Sequence, residues 1–316
     1  MSRNINRREL ITAAGASAIG LAVSSQATAV KPPPSASKPR FRFCLNTSTI
    51  RGQKKTLIEE IEIASKAGYS GIEPWMREIQ AYQKQGGNLK DLKKRIVDAG
   101  LKVESAIGFG QWIVDDEQAR AKGLEDAKRD MEILKAIGGT RIAAPPTGAT
   151  GQTNLDMFKA AERYRELLKI GRNIGVTPQV EVWGFSKSLS RLGEVMLVAV
   201  ESGHPDACLL PDIYHIFKGG SDFAGLNLIA GSAIHVFHFN DYPAQPSREK
   251  MSDADRVYPG DGVAPWKKIF RSLSSTGFHG VLSLELFNRD YWKQDAMEVA
   301  KTGLEKMKAV VKKYVP

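Results

Sequence analysis

"NIGVTPQVEVWGF", residues Asn173 to Phe185, holds the pattern that decides the fold. A helix-periodic stretch ends beside Gly175, which suits the left-handed cap of a helix C-terminus because it has no Cβ. A short apolar run follows, Thr177–Val182, with the length of a buried strand. Glu181 interrupts that run, and Trp183 closes it. The same unit recurs in "KAGYSGIE", "DAGLKVES", "AIGGTRIA" and "STGFHGVLS", each with a Gly between a helical stretch and an apolar run. Strands are predicted at Phe41–Leu45, Gly71–Pro74, Lys102–Ile107, Thr140–Ala144, Thr177–Val182, Ala207–Leu210, Ile234–Phe239 and Val281–Leu286. Helices are predicted at Leu57–Ala67, Leu89–Ala99, Ala121–Ile137, Leu155–Ile174, Leu189–Ser202, Leu226–Gly231, Trp266–Ser275 and Ala296–Tyr314. Eight of each in alternation predict an α/β fold, a single-domain (β/α)₈ TIM barrel over residues 41–316. A doubly wound sheet would open on a Gly-rich turn, and neither a GxGxxG nor a P-loop follows a strand here.

A barrel places chemistry at the C-terminal ends of its strands. The last four predicted strands end in "TPQVEVWGF", "CLLPDIYH", "HVFHFNDYP" and "VLSLELFN". Their ligand-type residues are Glu181, Asp212, His238 and Glu285, with His215 and Asp241 close by. Taken singly, a carboxylate at a strand end usually caps the next helix, and a strand histidine is usually hydrogen-bonded core. His235 and His238 face opposite sides of their strand, so His235 is expected to be structural. His204 and His279 fall at the other end of the barrel. Glu181 and Glu285 demand more, because each interrupts an apolar run. A buried unpaired carboxylate is costly or becomes neutral, and two would repel. A divalent cation removes both penalties, and an Asp and a His complete an O₃N ligand set. Glu181, Asp212, His238 and Glu285 are therefore the predicted metal ligands, and His215 stands where it can touch what binds there.

"GYSGIEPW" on the second strand, "VEV" on the fifth, "DxxH" on the sixth, "HFND" on the seventh and "SLEL" on the eighth resemble the xylose isomerase-like TIM-barrel superfamily. That group includes sugar isomerases and epimerases, hydroxypyruvate isomerase, inosose dehydratase and endonuclease IV. The resemblance covers most of the chain beyond its N-terminal segment, and it implies the barrel, one divalent ion and a small carbohydrate substrate. Its ketose 3-epimerase branch implies that Glu181 and Glu285 hold a manganese-like ion and also move the substrate proton. Mn²⁺ is thus the expected ion, with Zn²⁺, Co²⁺ and Mg²⁺ as alternatives. The same branch matches Arg256 in "DRVYPGDG" to an arginine that touches a substrate oxygen. The chain departs from the branch in the insertion "YPAQPSREKMSDAD" between Asp241 and Arg256.

The chemistry follows from the residues as well. The C–H beside a carbonyl is a weak acid, and a cation on the carbonyl and neighbouring hydroxyl stabilises the enediolate. One glutamate removes the proton and the other returns it. Return to the opposite face gives epimerisation, and return to the neighbouring carbon gives isomerisation. A leaving group on the next carbon makes the same site a lyase or dehydratase. Trp75, Trp112, Trp183 and Phe109 sit at or just after strand ends, where they either stack on a sugar face or close the barrel rim. A nuclease of the endonuclease IV kind needs more histidines: the third and fourth strand ends read "SAIGFG" and "RIAAPP", with none, and the "DRH" of that family is "DRV" here. A non-catalytic sugar-binding barrel would be expected to have lost a ligand, and none of the four is missing.

The N-terminus is set apart from the fold. Arg7 and Arg8, an apolar run from Leu10 to Val23 and the small residues Ala27-Thr28-Ala29 follow the plan of a twin-arginine signal cleaved after Ala29. Residues 1–29 are the predicted signal and 30–40 a Pro/Ser-rich linker. The expected address is periplasmic or otherwise exported, the expected partner the twin-arginine machinery, and no stable membrane insertion follows cleavage. The formal charge is +10 and falls to +8 without the signal. The basic residues are spread over separate helices, so nucleic acid is not expected as a partner. Cys44 and Cys208 lie in apolar runs and read as buried free thiols.

Overall fold

The computed structural model describes residues 41–315, so the predicted signal and linker lie outside the described residues. Eight parallel strands alternate with helices: β1 Arg42–Asn46, β2 Gly71–Glu73, β3 Lys102–Val103, β4 Arg141–Ala144, β5 Thr177–Glu181, β6 Leu209–Leu210, β7 Val236–His238 and β8 Val281–Leu284. Hydrogen-bonded ladders run β3-β2-β1-β8-β7 and β4-β5-β6. Two seams close the cylinder. Ala143 N donates to Ala106 O at 2.8 Å beyond β3, and His238 N donates to Pro211 O at 2.9 Å between β6 and β7. The result is the predicted (β/α)₈ TIM barrel, with its helices α1 Leu57–Ala67, α2 Met76–Lys84, α3 Leu89–Asp98, α4 Glu117–Ala136, α5 Met157–Ile174, α6 Leu192–Glu201, α7 Ile213–Lys218, α8 Trp266–Ser275 and α9 Ala296–Tyr314.

The helices form because their caps and apolar stripes agree. Thr56 and Glu59 make a capping box on α1. On α8, Trp266, Ile269, Phe270 and Leu273 are buried at helical spacing against the barrel. Inside the barrel, period-two alternation sorts the lumen into layers. Cys44, Leu210, Val236 and Val281 belong to one small apolar cluster. Two residues further along the same strands stand Asn46, Asp212, His238 and Ser283, all buried. A polar layer thus sits on an apolar plug, at the C-terminal mouth.

The structure departs from the predicted elements after β2 and β6. Helix α2 had no place in the predicted set; it buries only Met76 and Ile79, too few positions to show a period. The predicted helix Leu226–Gly231 is instead a pair of 3₁₀ turns, Phe223–Leu228 and Gly231–Ala233, and the regular turn of this unit is the short α7. Gly231 packs so closely on the backbone of Gly277 and Phe278 that a side chain there would collide. Cys44 and Cys208 are buried free thiols. Among the described residues no helix is long and apolar enough to cross a membrane.

Candidate metal centre at the barrel mouth

Glu181 ends β5, Asp212 lies two residues past β6, His238 ends β7 and Glu285 follows β8. All four are buried. Three carboxylates converge on one ring nitrogen: His238 Nδ1 lies 3.2 Å from Glu285 Oε2 and 3.5 Å from both Glu181 Oε1 and Asp212 Oδ2. Glu181, His238 and Glu285 each present a ligand atom within 4.8 Å of the others. His238 Nδ1 and Glu181 Oε2 are buried without a hydrogen-bond partner among the described residues. Orphaned polar atoms of this kind call for an unseen partner, and one nitrogen with three carboxylates fits a divalent cation.

The opposite edge of the His238 ring is fixed by Glu73 at the end of β2, which the sequence reading did not assign to the site. Glu73 Oε2 is 3.2 Å from His238 Nε2 and accepts from Asn46 Nδ2 at 2.9 Å and Ser283 Oγ at 2.6 Å. Burial alone would raise the Glu73 pKa, but His238, Ser283 and Asn46 outweigh it and hold the carboxyl below its ordinary value. An ionised Glu73 accepts from Nε2–H, which turns Nδ1 toward the three carboxylates, the arrangement that orients a metal-binding histidine. Burial pulls His238 down, yet Glu285 and Glu73 prevail and its pKa stands well above the ordinary value. Burial dominates at Glu181 and, with Glu285 and Asp212 nearby, pushes its pKa well up against the pull of His238.

Arg256, only 1% exposed, spans the other side of the centre. Its Nη1 donates to Asp212 Oδ2 and Glu285 Oε2, both at 2.9 Å. Glu285 Oε2 keeps a second lone pair. Asp212 also caps α7, with Oδ1 accepting from His215 N at 2.8 Å, and Asn240 Nδ2 donates to Oδ2 at 3.1 Å. Its pKa falls far below the carboxylate range: burial opposes this, but Arg256, His215 and His238 override it. Arg256 Nη2 is 2.9 Å from His215 Nε2. Arginine only donates, so Nε2 is the acceptor and the neutral ring carries its proton on Nδ1. Burial and the Arg256 charge lower the His215 pKa, which agrees. His215 Nδ1 is buried with no partner among the described residues. The site therefore holds a free N–H donor beside the carboxylates.

The remaining candidates separate. Asp241 is not a ligand: it accepts from the backbone N–H groups of Tyr242, Gly260, Gly262 and Ala264 and from Trp266 Nε1, and so ties the "PGDG" turn to the end of β7. Trp112 belongs to the main apolar core. It is 1% exposed, donates through Nε1 to Pro145 O at 2.9 Å and packs on Tyr164. Trp75 reaches the mouth but is already engaged: Nε1 donates to Asn46 Oδ1 at 3.0 Å, and the guanidiniums of Arg51 and Arg77 lie over its ring at 3.8 and 4.4 Å. Trp183 is partly exposed. The insertion is fixed onto α7, where Lys218 Nζ donates to the carbonyls of Arg248, Glu249 and Met251 and Tyr242 stacks on Phe217 at 3.8 Å. Its Asp253 also contacts Arg256. His235, half-buried, carries a pKa lowered to about 4 by burial and by Arg141, and faces away from the centre.

The family model for the xylose isomerase-like TIM barrel matches residues 61–310. The chain belongs to that family. Family relatives include isomerases, epimerases and dehydratases. The chain is 27% identical over 278 residues to an inosose isomerase of Bacillus velezensis, covering 87% of this chain and 98% of that protein. It is 22% identical over 257 residues to a 3-dehydroshikimate dehydratase of Pseudomonas putida, which spans 80% of this chain but 39% of the longer relative. Among solved structures, the IOLI protein with a bound zinc atom superposes with a TM-score of 0.79 at 24% identity, covering 87% of this xylose isomerase-like chain and 99% of the other.

Proposed function

We propose that the barrel mouth is the active site of a divalent-metal-dependent sugar isomerase or epimerase. The observation that carries this reading is His238 Nδ1, buried and without a hydrogen-bond partner among the described residues, facing the carboxylates of Glu181, Asp212 and Glu285 while Glu73 holds the other edge of the ring. Glu181, Asp212, His238 and Glu285 would hold the cation, which would supply positive charge beside the substrate carbonyl. The zinc in the IOLI structure supports a divalent ion, and Mn²⁺ is the ion we expect.

The chain's own groups do the rest. Glu181 and Glu285 approach from β5 and β8 and act as the two proton carriers, one taking the C–H proton beside a carbonyl and one returning it. His215 Nδ1–H donates to a substrate oxygen, and Arg256, fixed by Asp212 and Glu285, presents the charge that orients it. An inosose, a dehydroshikimate and a ketose all place a C–H beside a carbonyl, so one first step, removal of that proton, would serve all three. The dehydratase relatives support a second reading, in which a leaving group on the next carbon departs instead of a proton returning. Metal-loaded protein incubated in D₂O with keto-cyclitols, ketoses and 3-keto-glycosides decides. Deuterium in an isomeric product supports isomerisation, and an unsaturated product supports elimination. No exchange with any of them, in protein holding stoichiometric metal, overturns the proposal. The twin-arginine segment further leads us to propose that the enzyme works outside the cytoplasm.

A further inference from the structure

Phe109, Trp183 and Phe185 form a connected run of rings at the barrel mouth. The Phe109 and Trp183 centroids are 6.2 Å apart, and those of Trp183 and Phe185 are 5.2 Å apart. Both ends of the run lead back to the carboxylate centre. At one end Phe109 meets Trp75 at 5.1 Å, and Trp75 is bonded to Asn46, whose amide donates to Glu73 and Glu285. At the other, Phe185 meets the His215 ring at 5.7 Å, and His215 is bonded to Arg256. The wall begins and ends on groups that would hold a substrate.

Its rings are not equally free. Trp75 is 8% exposed and covered by two guanidiniums. Phe109 is 38% exposed and Phe185 47%, with the partly exposed Trp183 between them. Exposed apolar side chains scattered singly are ordinary, but three contiguous rings beside a polar site mark a ligand surface. A single free sugar, polar around its whole rim, needs one such face. Phe109 also walls an open groove of about 770 Å³ between α2 and α4, so there is room beyond the run of rings.

We infer that this wall is a subsite for a second, apolar ring carried by the substrate. The substrate class is then a keto-sugar glycoside with a planar aromatic aglycone, the sugar at the carboxylates and the aglycone on Trp183 between Phe109 and Phe185. The inference rests on the proposed function and specifies its substrate.

Phenyl and methyl glucopyranosides, each as both anomers, test it as non-reacting probes. Binding is measured by calorimetry and tryptophan fluorescence on Mn²⁺-loaded full-length protein and on metal-free protein. The phenyl glucoside is expected to bind about tenfold more tightly than the methyl glucoside. Phe109→Ala and Phe185→Ala should each remove about threefold to tenfold of that preference. Phe158→Ala, on the exposed face of α5, should leave both affinities as they are. Equal affinity for the two glucosides overturns the inference, as does an equal loss for both in the Phe variants. So does a dimer that Phe185→Ala dissociates in sedimentation, which would assign the wall to a second copy of the chain. The two readings fail separately. Metal binding and proton exchange on a small keto-sugar without an aryl preference sink only the subsite, whereas an aryl preference without metal binding sinks only the metal mechanism.

Discussion

Glu181 and Glu285 occupy equivalent strand-end positions, yet their surroundings differ. Glu285 accepts from Arg256 and Asn46, while one oxygen of Glu181 has no partner among the described residues. Glu181→Gln and Glu285→Gln should keep most of the metal and lose turnover by about 10²–10⁴-fold, as expected for a missing acid–base group. Metal content and steady-state rates on the same samples check this. If only one variant still exchanges the substrate's α-proton in D₂O, the two glutamates serve opposite steps. Near-normal turnover in both would leave them as ligands only. Glu73→Ala should weaken metal binding by about 10–100-fold, since it frees the ring that presents Nδ1; an unchanged affinity in calorimetry would refute that role. Burial raises the Glu181 pKa, and Glu285 and Glu73 raise that of His238 against burial, so both hold their protons to higher pH in metal-free protein than they would in water. The metal must displace those protons, so its affinity should rise as pH rises. Binding heats in buffers of different ionisation enthalpy count the protons released, and a pH-independent affinity would contradict the assignment. Carboxylates that break apolar runs made Glu181 and Glu285 legible in the sequence. Glu73 lies in the predicted strand Gly71–Pro74, but Ile72 is the one large apolar residue before it, so the carboxylate does not stand out as an interruption. Asn46 and Asn240 were illegible, because an amide at a strand end looks like any turn residue until its partner is known.

Elements were legible where burial repeats over several turns and illegible where it does not. The predicted bounds of α1, α8 and α9 coincide with the observed ones. Helix α7 spans only six residues and starts at the very aspartate that serves the site, so the sequence offered one signal for two roles. The insertion from Tyr242 to Asp255 carries no periodicity and is held by contacts that no local pattern encodes, chiefly the three carbonyls on Lys218. The organiser of this region is Asp241. Its carboxylate gathers five donors, and a side chain on Gly262 would collide with it. Its backbone also exchanges hydrogen bonds with Val257, next to Arg256, at 3.0 Å each way. Asp241→Ala strands buried donors and should destabilise the fold by about 3 kcal/mol or more. It should also raise KM, because Arg256 loses its anchor. A melting temperature and KM both close to wild type would show that the turn holds without the carboxylate.

At the scale of the whole chain, the barrel and the N-terminal segment make a joint demand. The proposed ligands come from β5 to β8, and Glu73, which orients His238, comes from β2, so the site exists only once the barrel has closed. A metal loaded into that site before export would require a route that moves folded protein, and we propose that the Arg7-Arg8 pair ahead of the apolar run is the signal for such a route. A secreted chain threaded unfolded would instead have to find its ion outside, where metal supply is not set by the cytoplasm. Arg7→Lys together with Arg8→Lys removes the paired guanidiniums but keeps both charges, so a route that needs only positive charge is untouched. Cell fractionation and N-terminal sequencing of the product read the outcome. The expected result is full-length, metal-bearing protein retained in the cytoplasm, against wild-type protein that begins at Val30 outside it. Maturation of the double variant at Ala29 would rule out the twin-arginine route and leave export to another one. Retention of both proteins in the cytoplasm would instead remove the exported address altogether, and with it the reason to expect substrates that are met outside the cell.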